Sequence, residues 1–182
     1  MLTITVPGSR MLDEKTNKIF TVPTQELKLE HSLRAISEWE SKYKKPFQKT
    51  LESGIKRNEL IDYFRCMTLN TVDPNIYYNI NSKIVDEILT YMQDSQTATT
   101  INNKGKKPPK RRTLTAELVY GWMVSYGIPF ECDKWHINKL LMLIKVCGEL
   151  DNPAKPSKKG GDAARAFAQL NAKRRAANKS RG

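Results

Sequence analysis

The chain has 182 residues, 39% of them hydrophobic, and a formal net charge of +12. That length suits one domain with extensions, and the apolar fraction is low enough that part of the chain stays outside the core. The charge is unevenly placed: six Lys/Arg and no acid fall between Lys104 and Arg112, residues 151–182 carry a net +7, and the rest sits near −1. A neutral body with basic arms follows, rather than a protein with one broad basic face.

The elements come in order. "LTITV", "KIFTV" and "ELKLE" alternate apolar and polar residues, the period of a half-buried strand. Pro7-Gly8 and the polar run Asp13 to Lys18 supply turns. Residues 2–30 therefore read as a small β-element of two or three strands that must pack on something to be stable. Ser32 reads as an N-cap, with Leu33, Ile36, Trp39 and Tyr43 following at helical spacing up to Pro46. A second helix is expected at "NELIDYFRCM", capped by Asn58, and Asp73-Pro74 signals a helix start. Ser82 opens "KIVDEILTYM", whose wide stripe of Ile84, Val85, Ile88, Leu89, Tyr91 and Met92 needs more than one neighbour.

Residues 103–113 read as a basic loop. Thr115 then caps "AELVYGWMVSY", Gly127 stops it, and Asp133 is expected to cap a last helix, "KWHINKLLMLIKVC", ending at Gly148. These two helices should form a packed hairpin, with Ile137, Leu140, Leu141 and Ile144 mostly buried. The expected architecture is α+β and predominantly helical. A domain over residues 1–150 holds the β-element and about five helices, and a basic, flexible tail spans 151–182.

Cys132, His136 and Cys147 share one stretch, but no Cys-x-x-Cys knuckle accompanies them, so neither a metal nor any other cofactor is expected. Nothing beside Cys132 supplies an oriented base and an oxyanion site, so catalysis is not expected either. Three cysteines, an odd number without a secretory leader, fit free thiols in a reducing compartment. The longest apolar run is far short of the roughly 20 residues of a membrane span.

Trp39, Trp122 and Trp135 fit either a core or a contact face, with Tyr126 and Phe130 beside the last two. The basic contacts, if any, rest on Lys106, Lys107, Lys110, Arg111 and Arg112. No aromatic residue lies among them, so phosphate or acidic-protein contact fits better than sequence-specific readout of nucleic acid.

In "LKLEHSLRAISEWESKYKKPF", "DYFRCMTLN" and "ELVYGWMVSYGIPFECDKWHINKLLMLIKVC" the chain resembles small proteins from the tail-gene region of tailed bacteriophages of Gram-positive hosts, the tail assembly chaperones. The resemblance covers most of residues 1–150 and fades in the basic tail. It implies a helical, non-catalytic protein of the host cytoplasm that coats the tape-measure protein before tail-tube subunits polymerise and is absent from the mature virion; the tail-tube protein and a second copy of this chain are further candidate partners. Trp39, Trp122, Trp135, Tyr126 and Phe130 are then the expected anchors, because interface energy concentrates in large aromatics. A nucleic-acid-binding phage regulator and a minor connector component of the virion are the competing readings.

Overall fold

The computed structural model describes residues 1–13, 17–100, 113–151 and 169. The chain divides into two units, Met1–Val146 and Cys147–Gly182. Most of the basic tail and the loop residues 103–112 lie outside the described residues, as do Lys106, Lys107, Lys110, Arg111 and Arg112.

Four strands open the first unit: β1 (Leu2–Val6), β2 (Ser9–Asp13), β3 (Lys18–Val22) and β4 (Gln25–Leu29). The sequence pattern showed three of them and missed β2. β1 pairs with β4 and β2 with β3, both antiparallel. The two ladders share one register, Leu2 facing Leu29 at one end and Asp13 facing Lys18 at the other. They are thus two halves of one long β-ribbon. It is interrupted where Pro7 and Pro23, which have no N–H to give, fall on both strands.

At that break Gly8 N–H donates to Thr24 Oγ1 at 2.9 Å, and a Cβ on Gly8 would meet the Val22 carbonyl oxygen at 2.3 Å. Backbone cannot yield as a side chain tip does, so Gly8→Ala is expected to cost about 1–3 kcal/mol. Urea denaturation of the variant measures it.

The inner half of the ribbon obeys its period of two: Ile4, Val6, Leu27 and Leu29 are buried while Thr3, Thr5, Glu26 and Lys28 face water. The open edge of β4 is also closed. Leu69 N–H donates to Lys28 O at 2.8 Å, and the Asn70 side chain acts as a surrogate peptide, accepting from Lys28 N–H and donating to Glu26 O, each at 2.8 Å. An unpaired edge would otherwise recruit a foreign strand.

Among the described residues six α-helices follow: α1 (Leu33–Tyr43), α2 (Phe47–Gly54), α3 (Arg57–Met67), α4 (Ser82–Gln93), α5 (Ala116–Ser125) and α6 (Ile137–Asp151). Two 3₁₀ turns lie among them, Pro74–Asn79 and Phe130–Lys134. The caps Ser32 and Thr115 are present, their hydroxyls accepting from Ala35 N–H and Leu118 N–H. Gly127 takes φ +63 at the end of α5, as a left-handed stop requires. α3, however, starts one residue before the expected cap: Asn58 lies inside the helix and no side chain caps it.

The last helix differs most from its sequence signals. Asp133 does not cap it; its carboxylate accepts from Tyr120 OH at 3.2 Å within the Phe130–Lys134 turn. His136 is drawn into an isolated bridge with Ser32, and Ile137 N–H donates to His31 O at 2.7 Å. That strap keeps Trp135 and His136 out of helical conformation, so α6 begins at Ile137. Nor does Gly148 end it, since α6 runs on to Asp151. The expected hairpin is also corrected, because α5 takes α1 as its main neighbour rather than α6. Ile137, Leu140 and Ile144 are buried and Leu141 half-buried, as the stripe implied.

The main core joins the ribbon's inner face to α1, α2, α3, α4 and the first 3₁₀ turn. Trp39 sits in its middle. It is fully buried, its ring 4.7 Å from Tyr43 and 5.1 Å from Phe47, with its indole N–H donating to Glu59 O at 2.8 Å. This corrects its assignment as an exposed anchor: Trp39 is scaffold.

Candidate functional site

Two features stand out once the core is set aside: an outward apolar surface on α5 with the turn after it, and a cavity behind it.

α5 reads "AELVYGWMVS" and carries one charge, Glu117. Its inner side, Ala116, Val119 and Met123, is buried. At 3.6 residues per turn the opposite side centres on the row Glu117, Gly121 and Ser125, with Trp122 and Val124 on its two flanks. Trp122 is 37% exposed and Val124 65%. Gly121 has open space where its Cβ would be, and Ser125 turns its hydroxyl back to donate to Gly121 O at 2.9 Å. The one hydroxyl on this face is thus already satisfied, and past the exposed Glu117 of the first turn what it offers outward is apolar.

The turn adds Phe130, 58% exposed and 6.1 Å from the Tyr120 ring, and Trp135, 39% exposed under the Lys139 ammonium at 4.6 Å. Tyr126 is half-buried. Of the five expected anchors, then, Trp122, Phe130 and Trp135 are at the surface, Tyr126 is partly so, and Trp39 is not. No ring contact joins Trp122 to Phe130 or Trp135 among the described residues, so these side chains share a stretch of surface rather than one aromatic stack.

The cavity measures about 230 Å³. Leu33, Ile36, Leu51, Leu89, Met92 and Val119 give it apolar walls, and exposed Gln48 and Gln93 stand at its margin. Three polar groups reach it that the sequence did not mark out: His31, Glu40 and Asn138.

Glu40 is a buried carboxylate whose two oxygens each take a helix N-terminus. Oε1 accepts from Phe47 N–H and Oε2 from Ala116 N–H, both at 2.8 Å. These are the first residues of α2 and α5, where free N–H groups and the helix dipoles favour negative charge. Glu40 thereby fixes α5, and its outward face, to α1.

His31 and His136 lie edge to face at 5.2 Å. Burial, then the neighbouring His136, holds His31 down at about 3, and burial lowers His136 as well. Both rings are therefore neutral near pH 7. His136 Nδ1 accepts from Asn138 N–H at 3.3 Å, so its proton is on Nε2, which donates to Tyr91 O at 3.2 Å. His136 thus takes the capping position expected of Asp133.

His31 Nδ1 meets Tyr63 OH at 2.5 Å. Tyr63 is fully buried with no other partner, so its hydroxyl hydrogen has nowhere else to go; Tyr63 donates, and the His31 proton sits on Nε2.

Among the described residues no three His, Cys, Asp or Glu side chains gather as metal ligands. Cys132 is buried, Cys66 and Cys147 are half-buried, and all three are free. Burial pushes the Cys66 thiol up to about 11, away from the thiolate form that nucleophilic attack uses. No described helix is long and apolar enough to cross a membrane.

Comparison with protein-family models, with curated proteins and with solved structures finds no match for this chain.

Proposed function

We propose that this chain is a non-catalytic assembly chaperone of the phage-tail kind, acting in the cytoplasm of an infected bacterium. It binds a long helical client, the tape-measure protein, and keeps it soluble until tail-tube subunits enclose it.

One observation carries the reading. Apart from Glu117 in its first turn, α5 is apolar on its outward side as well as its inner side, although that side faces solvent. A helix whose outward side is apolar past its first turn exposes surface that is ordinarily buried, and a partner would complete that burial. Its small central residues, Gly121 and Ser125, allow close approach of a client helix, and Trp122 and Val124 would grip it on either side. The resemblance of residues 1–150 to tail assembly chaperones names the client class. Two of the buried polar groups serve the scaffold: Glu40 holds two helix ends and Trp39 anchors to a carbonyl.

Co-expression with the tape-measure protein, followed by affinity capture, tests this. Val124→Glu places a charge on an exposed position, so the melting temperature should stay within a few degrees of the parent while capture of the client drops at least tenfold. Unchanged capture by Val124→Glu and Trp122→Ala together would overturn the proposal. The isolated protein offers a companion measurement. Gly121→Ala meets no neighbouring atom and removes a flexible residue from mid-helix, so it should stabilise the free chain by about 0.5–1 kcal/mol.

A further inference from the structure

The cavity beside α5 has two unused polar groups that face each other in chemical kind. His31 is 5% exposed, and its Nε2–H has no protein partner. Every enclosed side-chain polar atom among the described residues does have one, so Nε2 must reach open space, and the cavity is the space that His31 lines. Asn138 donates both amide hydrogens away, to Met92 O at 3.1 Å and Asp94 O at 2.7 Å. Those bonds fix the amide and leave its Oδ1 as a free acceptor on a residue that lines the same cavity. One free donor and one free acceptor thus stand among mostly apolar walls, beside Glu40 and Thr115, whose polar atoms already have partners.

We infer that this cavity is a binding site for a neutral phenolic ring, whether the side chain of a tyrosine or a free small phenol. Size fits: an apolar cavity of about 150 Å³ holds benzene, and this one is about 230 Å³. The ring would lie against Leu51, Leu89 and Val119, its oxygen accepting from His31 Nε2–H and its hydroxyl hydrogen going to Asn138 Oδ1. A phenol satisfies both groups at once, whereas a hydrocarbon leaves both unpaired and a carboxylate would enter beside the buried charge of Glu40. This site is separate from the α5 outer face, so it stands or falls independently of client capture there.

Titration of the ¹⁵N-labelled full chain with p-cresol and, separately, with toluene tests it by NMR. p-Cresol should bind saturably, about five- to tenfold tighter than toluene, as one or two added hydrogen bonds give. Its shifts should centre on the His31 imidazole and the Asn138 side-chain amide. Binding of N-acetyltyrosinamide at the same shifts assigns the site to a tyrosine side chain; p-cresol binding without it assigns the site to a free phenol. Leu51→Trp, at a half-buried position on the wall, should fill the space and abolish binding. If that variant fails to fold, the two-probe comparison on the parent chain still decides. No saturable binding of p-cresol, equal affinity for toluene, or shifts that map to Trp122 and Trp135 instead would each overturn the assignment.

Discussion

Trp39→Ala is expected to lower the free energy of unfolding by about 3–5 kcal/mol, the usual cost of removing a fully enclosed indole. Three terms act together. The largest side chain of the core leaves a cavity between α1 and α3, because Trp39 is fully buried against Tyr43 and Phe47. The Glu59 carbonyl loses its indole donor at a buried position. Phe47, the first residue of α2, loses the ring edge it packs against. For a small domain that sum is a large share of total stability. Trp122→Ala should behave oppositely, costing under about 1 kcal/mol because its ring already meets solvent. Urea denaturation of both variants beside client capture separates scaffold from contact. Equal loss of stability at the two positions would remove Trp122 from any interface argument.

Those two residues also show how far the sequence could lead. Both are tryptophans inside helices among apolar neighbours. Trp39 lies on a stripe with Leu33 and Tyr43, and a stripe says which side of a helix is buried. α5 has little such contrast, since past Glu117 it is apolar on both sides, so its spacing left the place of Trp122 open.

Signals that act within a few residues were legible: the alternation of β1 and β4, the caps Ser32 and Thr115, the left-handed stop at Gly127. Signals set by distant pairing were not. β2 carries Met11 and Leu12 side by side, which breaks alternation, and it exists because β3 continues the register of β4. Asp133 has the right chemistry for a cap, yet the strap from residues 31 and 32 decides where α6 begins. Glu40 looks like a solvated helix charge beside Trp39. Its role depends on Ala116, 76 residues away, and on a loop length that no local pattern encodes.

Acid should weaken the fold before the carboxylates titrate. His31 falls from an ordinary 6.5 to about 3, because burial and then His136 oppose its charged form. His136 is lowered too, first by burial. In the unfolded chain both take up protons near pH 6.5; in the folded chain they do not. Between the folded and unfolded values the unfolded state therefore binds more protons, and stability rises with pH. The contribution is complete above pH 6.5 and is lost as pH falls toward 3. By pH 4.5 His31 alone should remove about 3 kcal/mol, at about 1.4 kcal/mol per pH unit, and the enclosed ring leaves little solvent screening to reduce it. Asp62 acts in the same direction but lower down. Its carboxyl, bonded to Lys42 and Tyr43 and held below the usual 3.8, gives stability that is lost only as pH falls below that value. The interval from pH 6.5 to 4.5 therefore isolates the histidines. Denaturation curves at pH 7.5, 5.5 and 4.5 should show this fall in the parent chain and a shallower one in His31→Gln, which keeps a polar group there but cannot take the proton. A flat profile over that interval would mean that His31 takes up its proton in the fold despite its burial beside Tyr63, His136 and Phe47.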